Sequence, residues 1–172
     1  MAAKKQKLDM EKLIKALDND TNQHIVESDL DYNKLNAAKN NILQQLQLPR
    51  EKLKLMHKQL KAYRYIETLQ ELRYGSYIRW ISLKNPAEIK LTNGGIVIDM
   101  KIIKNKQQHA EEEQEQAQQA QAQSHVEDED VHIVCRNNMN RLFQIRLNEN
   151  IIFQKLNDQE QVLLSAMEYL NK

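Results

Sequence analysis

The spacing of apolar and polar positions changes once along the chain, near Gly75. Before that point it is helical. Leu8, Leu13, Ile14 and Leu17 fall near one stripe, and a polar break, DNDTNQ, follows. SDLD then places Ser28 as an N-cap with Asp31 three residues on, a capping-box arrangement. Behind it Leu35, Ala38, Ile42 and Leu46 share one helical face. Pro49 stops that helix and suits the first turn of the next. From Pro49 to Leu72 no glycine or further proline intervenes. Leu53, Met56, Leu60 and Tyr63 form a packing seam that Ile66 and Leu69 continue with a slip. The spacing predicts a helix of about 36 Å at about 1.5 Å per residue. Two long helices with so short a connection lie antiparallel. Residues 28–74 therefore predict a helical hairpin, preceded by a leading helix and linker over 1–27. Leu43, Leu48, Leu55 and Ile66 lie off the main seam, so the hairpin carries apolar surface that packs on something further, whether the barrel, a second copy or another protein.

After Gly75 the period is two. YIRWISL (77–83), EIKL (88–91), GIVIDMKII (95–103), VHIVC (131–135), RLFQIRL (141–147) and NIIFQKL (150–156) read as short strands. Ile96, Ile98, Met100 and Ile102 are expected on one face, with Asp99 and Lys101 on the other. Phe143, Ile145 and Leu147 alternate with Gln144 and Arg146. Such alternation marks antiparallel strands with one wet face, and NPAE, NG, NNMN and NEN are turn-formers. The strands are enough for a small antiparallel β-barrel, Sm-like or Src-homology-three-like in strand count, within a domain over 75–172. A C-terminal helix over 158–171 starts at Asp158 as cap and places Val162, Leu163, Ala166 and Leu170 on one side. The fold class is α+β.

Two of the chain's 3 glycines, Gly94 and Gly95, sit together in LTNGGIVIDM. A phosphate loop needs glycines between a strand and a helix N-terminus, where amides converge on the anion. Here β-forming residues lie on both sides, so Asn93-Gly94 predicts the type I′ turn of a hairpin, with Gly95 relieving a strand start or bulge.

Charge adds a second division. Between Lys106 and Arg136 there is no lysine or arginine, while Glu111, Glu112, Glu113, Glu115, Glu127, Asp128, Glu129 and Asp130 all fall in that window. The remaining 16 acids against 25 lysines and arginines leave the rest of the chain at about +9. The Glu/Gln-rich tract has helix propensity without an apolar face, so 105–130 is expected as a disordered acidic insert in the barrel. Lengthening a loop costs little free energy.

No apolar run approaches the roughly 18 residues of a membrane span. The N-terminus MAAKKQKLDMEKL has basic residues with no apolar core behind them, unlike a signal peptide. The single cysteine, Cys135, permits no internal disulfide and suits a reducing compartment. The expected setting is intracellular, in host cytoplasm or virion. The five histidines have no metal-ligand spacing, and G-x-S-x-G, H-E-x-x-H and Walker patterns are absent. The expectation is a protein that is not an enzyme, with no catalytic residues, metal, cofactor or small-molecule substrate, and no membrane partner.

The cluster that stands out is LRYGSYIRW, where Arg73, Tyr74, Tyr77, Arg79 and Trp80 crowd the helix-to-sheet junction. Arg136, Arg141, Arg146 and Lys155 come from later strands. Basic side chains interleaved with aromatics suit single-stranded nucleic acid, through phosphate contact and base stacking. The competing role is packing, with Trp80 and Tyr77 holding the barrel against the long helix while the arginines snorkel. The candidate interaction surface is Arg73, Tyr74, Tyr77, Arg79, Arg136, Arg141 and Arg146.

The pattern LRYGSYIRWI, LTNGGIVIDM and CRNNMNRLFQIRLNENIIFQKL resembles small uncharacterised proteins of large double-stranded DNA viruses of algae and protists, over residues 72–156. The resemblance implies a viral origin and a virion-associated role, and it carries over no catalytic residue. The function expected is a non-enzymatic structural or adaptor protein mediating protein–protein assembly, with a protein partner or self-association through the helical hairpin. The alternative is a nucleic-acid-binding protein using a basic and aromatic face of the barrel.

Overall fold

The computed structural model describes residues 9–27, 30–104 and 129–170. Helix α1 (Met10–Leu17) is capped by Asp9, whose side chain accepts from the Lys12 N–H, and a short α2 (Gln23–Glu27) follows. Helix α3 (Tyr32–Gln45) is capped by Asp31, whose Oδ1 accepts from the Lys34 N–H at 2.7 Å. The cap is thus Asp31; Ser28 lies outside the described residues. Gln47, at φ +49, turns the chain after α3, and α4 (Arg50–Gln59) starts behind Pro49.

The helix expected to run to Leu72 ends at Gln59. Strand β1 (Tyr63–Ile66) replaces its last part and pairs antiparallel with β6 (Asn150–Lys155), Tyr63 opposite Lys155 and Ile66 opposite Ile152. Aromatic and β-branched side chains suit a pleated, half-buried surface, and Arg64 and Ile66 alternate inward with Tyr63 and Tyr65 outward. Lys39 of α3 holds the turn between helix and strand: its Nζ donates to the Leu60 carbonyl at 2.9 Å and the Tyr63 carbonyl at 3.1 Å. Burial lowers the Lys39 pKa from 10.5.

The remaining strands are β2 (Tyr77–Ser82), β3 (Gly95–Lys104), β4 (Glu129–Arg136) and β5 (Leu142–Arg146), followed after β6 by helix α5 (Asp158–Leu170). The sheet is antiparallel with order β1-β6-β2-β3-β4-β5. Ile66 of β1 and Leu147 just after β5 reach the same apolar cluster, so the sheet curls. No ladder joins β5 to β1 among the described residues, so the sheet is not closed as a barrel would be. The strand expected at 88–91 is reduced to a single bridge, Leu91 opposite Ile81. Pro86 opens a 3-10 turn there, with Asn85 Oδ1 accepting from the Ala87 N–H. The insert at 105–128 lies outside the described residues, whereas Glu129 and Asp130, assigned to it from sequence, belong to β4.

Two expectations about β3 change. A bulge between Val97 and Asp99 breaks the alternation, so Val97 and Met100 face the core while Ile96 and Ile98 are exposed. The Asn93-Gly94 pair forms no two-residue hairpin turn. Ile81 pairs with Leu91 but Ile78 pairs with Gly95, so the chain carries one extra residue beside β2. Gly94 alone has positive φ there, +98, and a Cβ on it would stand 2.3 Å from the Ile78 carbonyl oxygen.

The core has three parts. On the inner face of the sheet Ile66, Ile78, Val97, Ile133, Cys135 and Ile152 are buried together. Outside β1, β6 and β2, Leu43, Met56 and Leu60 from the α3–α4 region cover Ile81, Ile151 and Phe153. Ala16, Ile25 and Leu35 meet Leu156, Leu163 and Leu164 around α5. The seam Leu53, Met56, Leu60 and Tyr63 lies within the second part, but Leu60 ends the helix and Tyr63 belongs to a strand. Of the four off-seam residues, Leu43 and Ile66 are buried, Leu48 packs on the core, and Leu55 stays exposed.

Three outcomes are expected. Gly94→Ala should cost about 2 kcal/mol or more in urea unfolding, because the left-handed backbone and the close carbonyl both penalise a side chain. Lys39→Ala should cost about 2 kcal/mol by the same measurement, since it empties a buried site and strips the two carbonyls of their donor. The buried Cys135 thiol is pushed up to about 12, so Ellman's reagent at mildly alkaline pH should leave it unmodified until denaturant unfolds the chain.

Candidate functional site

Glu160 sits in the first turn of α5 and is fully buried, which a carboxylate tolerates only when paired and hydrogen-bonded. Its Oε1 meets the Arg73 guanidinium, and Arg64 Nε of β1 stands 4.0 Å away. Its Oε2 accepts from the Asn157 N–H at 2.7 Å, and Asn157 Oδ1 accepts in return from the Glu160 N–H at 2.7 Å. That is a capping box, so Asn157, not Asp158, caps the helix.

Buried Gln154 of β6 continues the network. Its Oε1 accepts from the Arg73 N–H and from Ser76 Oγ, both at 2.9 Å, while Arg64 Nη2 donates to the Glu71 carbonyl at 2.6 Å. Burial, with the Arg64 charge beside it, lowers the Arg73 pKa to about 10, and burial also lowers that of Arg64. At neutral pH Arg73 is therefore still a cation. A cleft of about 560 Å³ opens over this junction between residues 73–77 and 154–160. Its buried carboxylate is held by two guanidiniums and a helix cap, an arrangement suited to fastening elements together. Sequence reasoning assigned Arg73 to an interaction surface and missed Arg64, Gln154, Asn157 and Glu160, with which the structure groups it; the N-x-x-E spacing of 157–160 was the available signal.

The other proposed surface residues divide by where their strands put them. Cross-strand register sets Tyr77, Ile96, Arg136 and Leu142 in one row over β2, β3, β4 and β5. This row lies on the outer face, opposite Val97 and Cys135. Lys101, His132 and Arg146 form a parallel row farther along. Arg141 is exposed in the β4–β5 turn and Tyr74 is exposed before β2.

Not all of these groups are available. Arg79 Nε donates to the Thr92 carbonyl and the Tyr77 hydroxyl to that of Asn93, both at 2.7 Å. Arg146 pairs with Asp130 at 3.4 Å and Glu149 at 3.3 Å. Trp80 points to the inner face, where its ring lies 5.2 Å from that of Phe143. The single basic stripe expected from sequence is therefore divided: Arg73 is committed to Glu160 and Arg79 to backbone, while Tyr77 and Arg136 share a row. Among the described residues Arg136 and Arg141 have no ion-pair partner.

The α3–α4 region shields the outside of β1, β6 and β2, but no described helix covers the outer face of β3, β4 and β5. There Leu142 is 66% exposed and Ile98 41%, beside Ile96 and Ile103. Among the described residues no three His, Cys, Asp or Glu side chains gather as metal ligands, and no helix is long and apolar enough to cross a membrane.

Removing one member of the buried cluster leaves an uncompensated charge. Arg73→Ala should cost about 3 kcal/mol in chemical denaturation, and Glu160→Ala at least as much, since it also removes the reciprocal cap. Exchanging Arg146, whose pair is half exposed, should cost less than about 1 kcal/mol in the same measurement.

Compared with protein-family models, curated proteins and solved structures, this chain matches none.

Proposed function

We propose that this chain is a non-enzymatic structural or adaptor protein that mediates protein–protein assembly, a virion or virion-assembly component in line with the sequence resemblance. The observation that carries the reading is the uneven covering of the sheet. One outer half is buried under α3 and α4, whereas the other presents isoleucines, Leu142 and Arg136 to solvent. A mixed apolar and cationic face of this kind suits a protein surface with its own apolar centre and acidic rim. The partner is another protein or a second copy. The path β2 to β5 followed by return of β6 to β2 also supports kinship with small Sm-like or Src-homology-three-like barrels, which serve partner binding in many contexts.

Nucleic acid is the competing partner, and fewer groups are available to it than the sequence suggests. Arg73, Arg79 and Arg146 are engaged within the chain, and Trp80 is turned inward for packing. Lys101 lies on the uncovered face and provides a reporter amine. Amine cross-linking in extracts of the native source should join Lys101 to another protein, and Ile98→Asp with Leu142→Asp should abolish the product. Salt-sensitive binding of a single-stranded oligonucleotide that Arg136→Ala and Arg141→Ala remove, without any protein cross-link, would overturn the adaptor reading.

A further inference from the structure

We infer that the free edge of β5 accepts an extended acidic segment of a partner protein as an added strand, a mode of binding that rests on the adaptor reading above. Strand β5 pairs with β4 on one side only, and no described strand lies on its other side. The phase of its hydrogen bonds follows from two flanking contacts. Asn137 N–H donates to the Arg141 carbonyl at 3.0 Å, and Leu147 N–H donates to the Val131 carbonyl at 2.9 Å. Residues 141 and 147 therefore turn their backbone groups toward β4, and with antiparallel alternation so do Phe143 and Ile145. Leu142, Gln144 and Arg146 turn theirs outward. The Arg146 carbonyl is taken by Asn150 Nδ2 at 2.7 Å. Among the described residues the amides and carbonyls of Leu142 and Gln144 have no partner, and they form the unpaired template that strand addition uses.

Register also sets the chemistry of the occupant. Residues of an added strand opposite Leu142, Gln144 and Arg146 place side chains on the outer face, where Arg136 lies beside Leu142. Arg136 has no ion-pair partner among the described residues, so acidic side chains complement that face. The alternate residues turn inward beside half-buried Phe143 and Ile145, so they are apolar. Space is present: a cleft of about 330 Å³ lies where Gln144, Ile145 and Arg146 face Trp80, Ser82 and Asn150. The occupant is thus an extended segment with acidic and apolar residues in alternation.

The test uses the full chain and fluorescent acetyl-EVEVEVE-amide, followed by anisotropy at low and moderate salt. The peptide should bind and weaken with salt, while KVKVKVK should not bind over the same range. N-methylation of alternate peptide amides should weaken binding about ten-fold or more through lost main-chain hydrogen bonds. Gln144→Pro should do the same with an unchanged circular dichroism spectrum, because it removes an edge-facing N–H and leaves the β4 ladder intact. Equal binding of the N-methylated peptide that is lost in Arg136→Glu would overturn strand addition and leave the adaptor reading in place. Absence of peptide binding would overturn strand addition, and together with salt-sensitive oligonucleotide binding it would overturn both.

Discussion

The fold is tied together at one buried carboxylate. Glu160 reaches Arg73 from the loop before β2, lies beside Arg64 of β1, and closes the first turn of α5 with Asn157. Gln154, one strand over, holds the backbone of the same loop. Helix α5, strand β1 and the loop therefore share a single charge balance, and β6 joins them through the neutral amide of Gln154. Ion pairs buried in this way gain little net free energy over a well-packed apolar cluster, because desolvation of each charge opposes their attraction. Their effect is positional. A lone guanidinium or carboxylate at that depth is strongly disfavoured, so only the arrangement that brings all of them together is tolerated.

From that junction the two halves of the sheet take different environments. β6 is drawn between β1 and β2, and the outer side of these three strands lies under α3 and α4. The chain then continues through β3, β4 and β5 with no described helix above them. Apolar residues on that side, Ile96, Ile98 and Leu142, stay in water next to Arg136. Among the described residues no proline, bulge or covering element protects the edge of β5.

Much of the element order was legible. Turn residues bounding short β-branched or alternating runs located β2, β3, β4, β5 and β6 within two residues, although β2 and β6 are buried on both faces. Helices α1, α3 and α5 followed from their apolar stripes, while the caps of α3 and α5 are Asp31 and Asn157 rather than Ser28 and Asp158. The errors lie where local pattern serves two structures. YRYI continued a helical seam through Tyr63 and Ile66 yet became β1, since pairing with β6 satisfied its backbone and its aromatic side chains suited the sheet. Asn93-Gly94 carried a hairpin signature, but the partner of Gly95 is Ile78, and only Gly94 took positive φ.

The sequence by itself determined the α+β class, the inward placement of Phe143 and Ile145, and the burial of a lone cysteine, whereas the helix-to-strand change it put near Gly75 comes before Tyr63. These depend on local periodicity and on the cost of exposing apolar side chains. Tertiary structure alone decided which arginines are free. Arg73, Arg79, Arg136 and Arg146 look alike in sequence, yet one meets Glu160 from 87 residues away, one bonds a backbone carbonyl, and one pairs with Asp130. It also decided that the sheet stays open and that β5 is its edge. Long-range pairing fixes both, and a charge carries no local signal of the partner it will find.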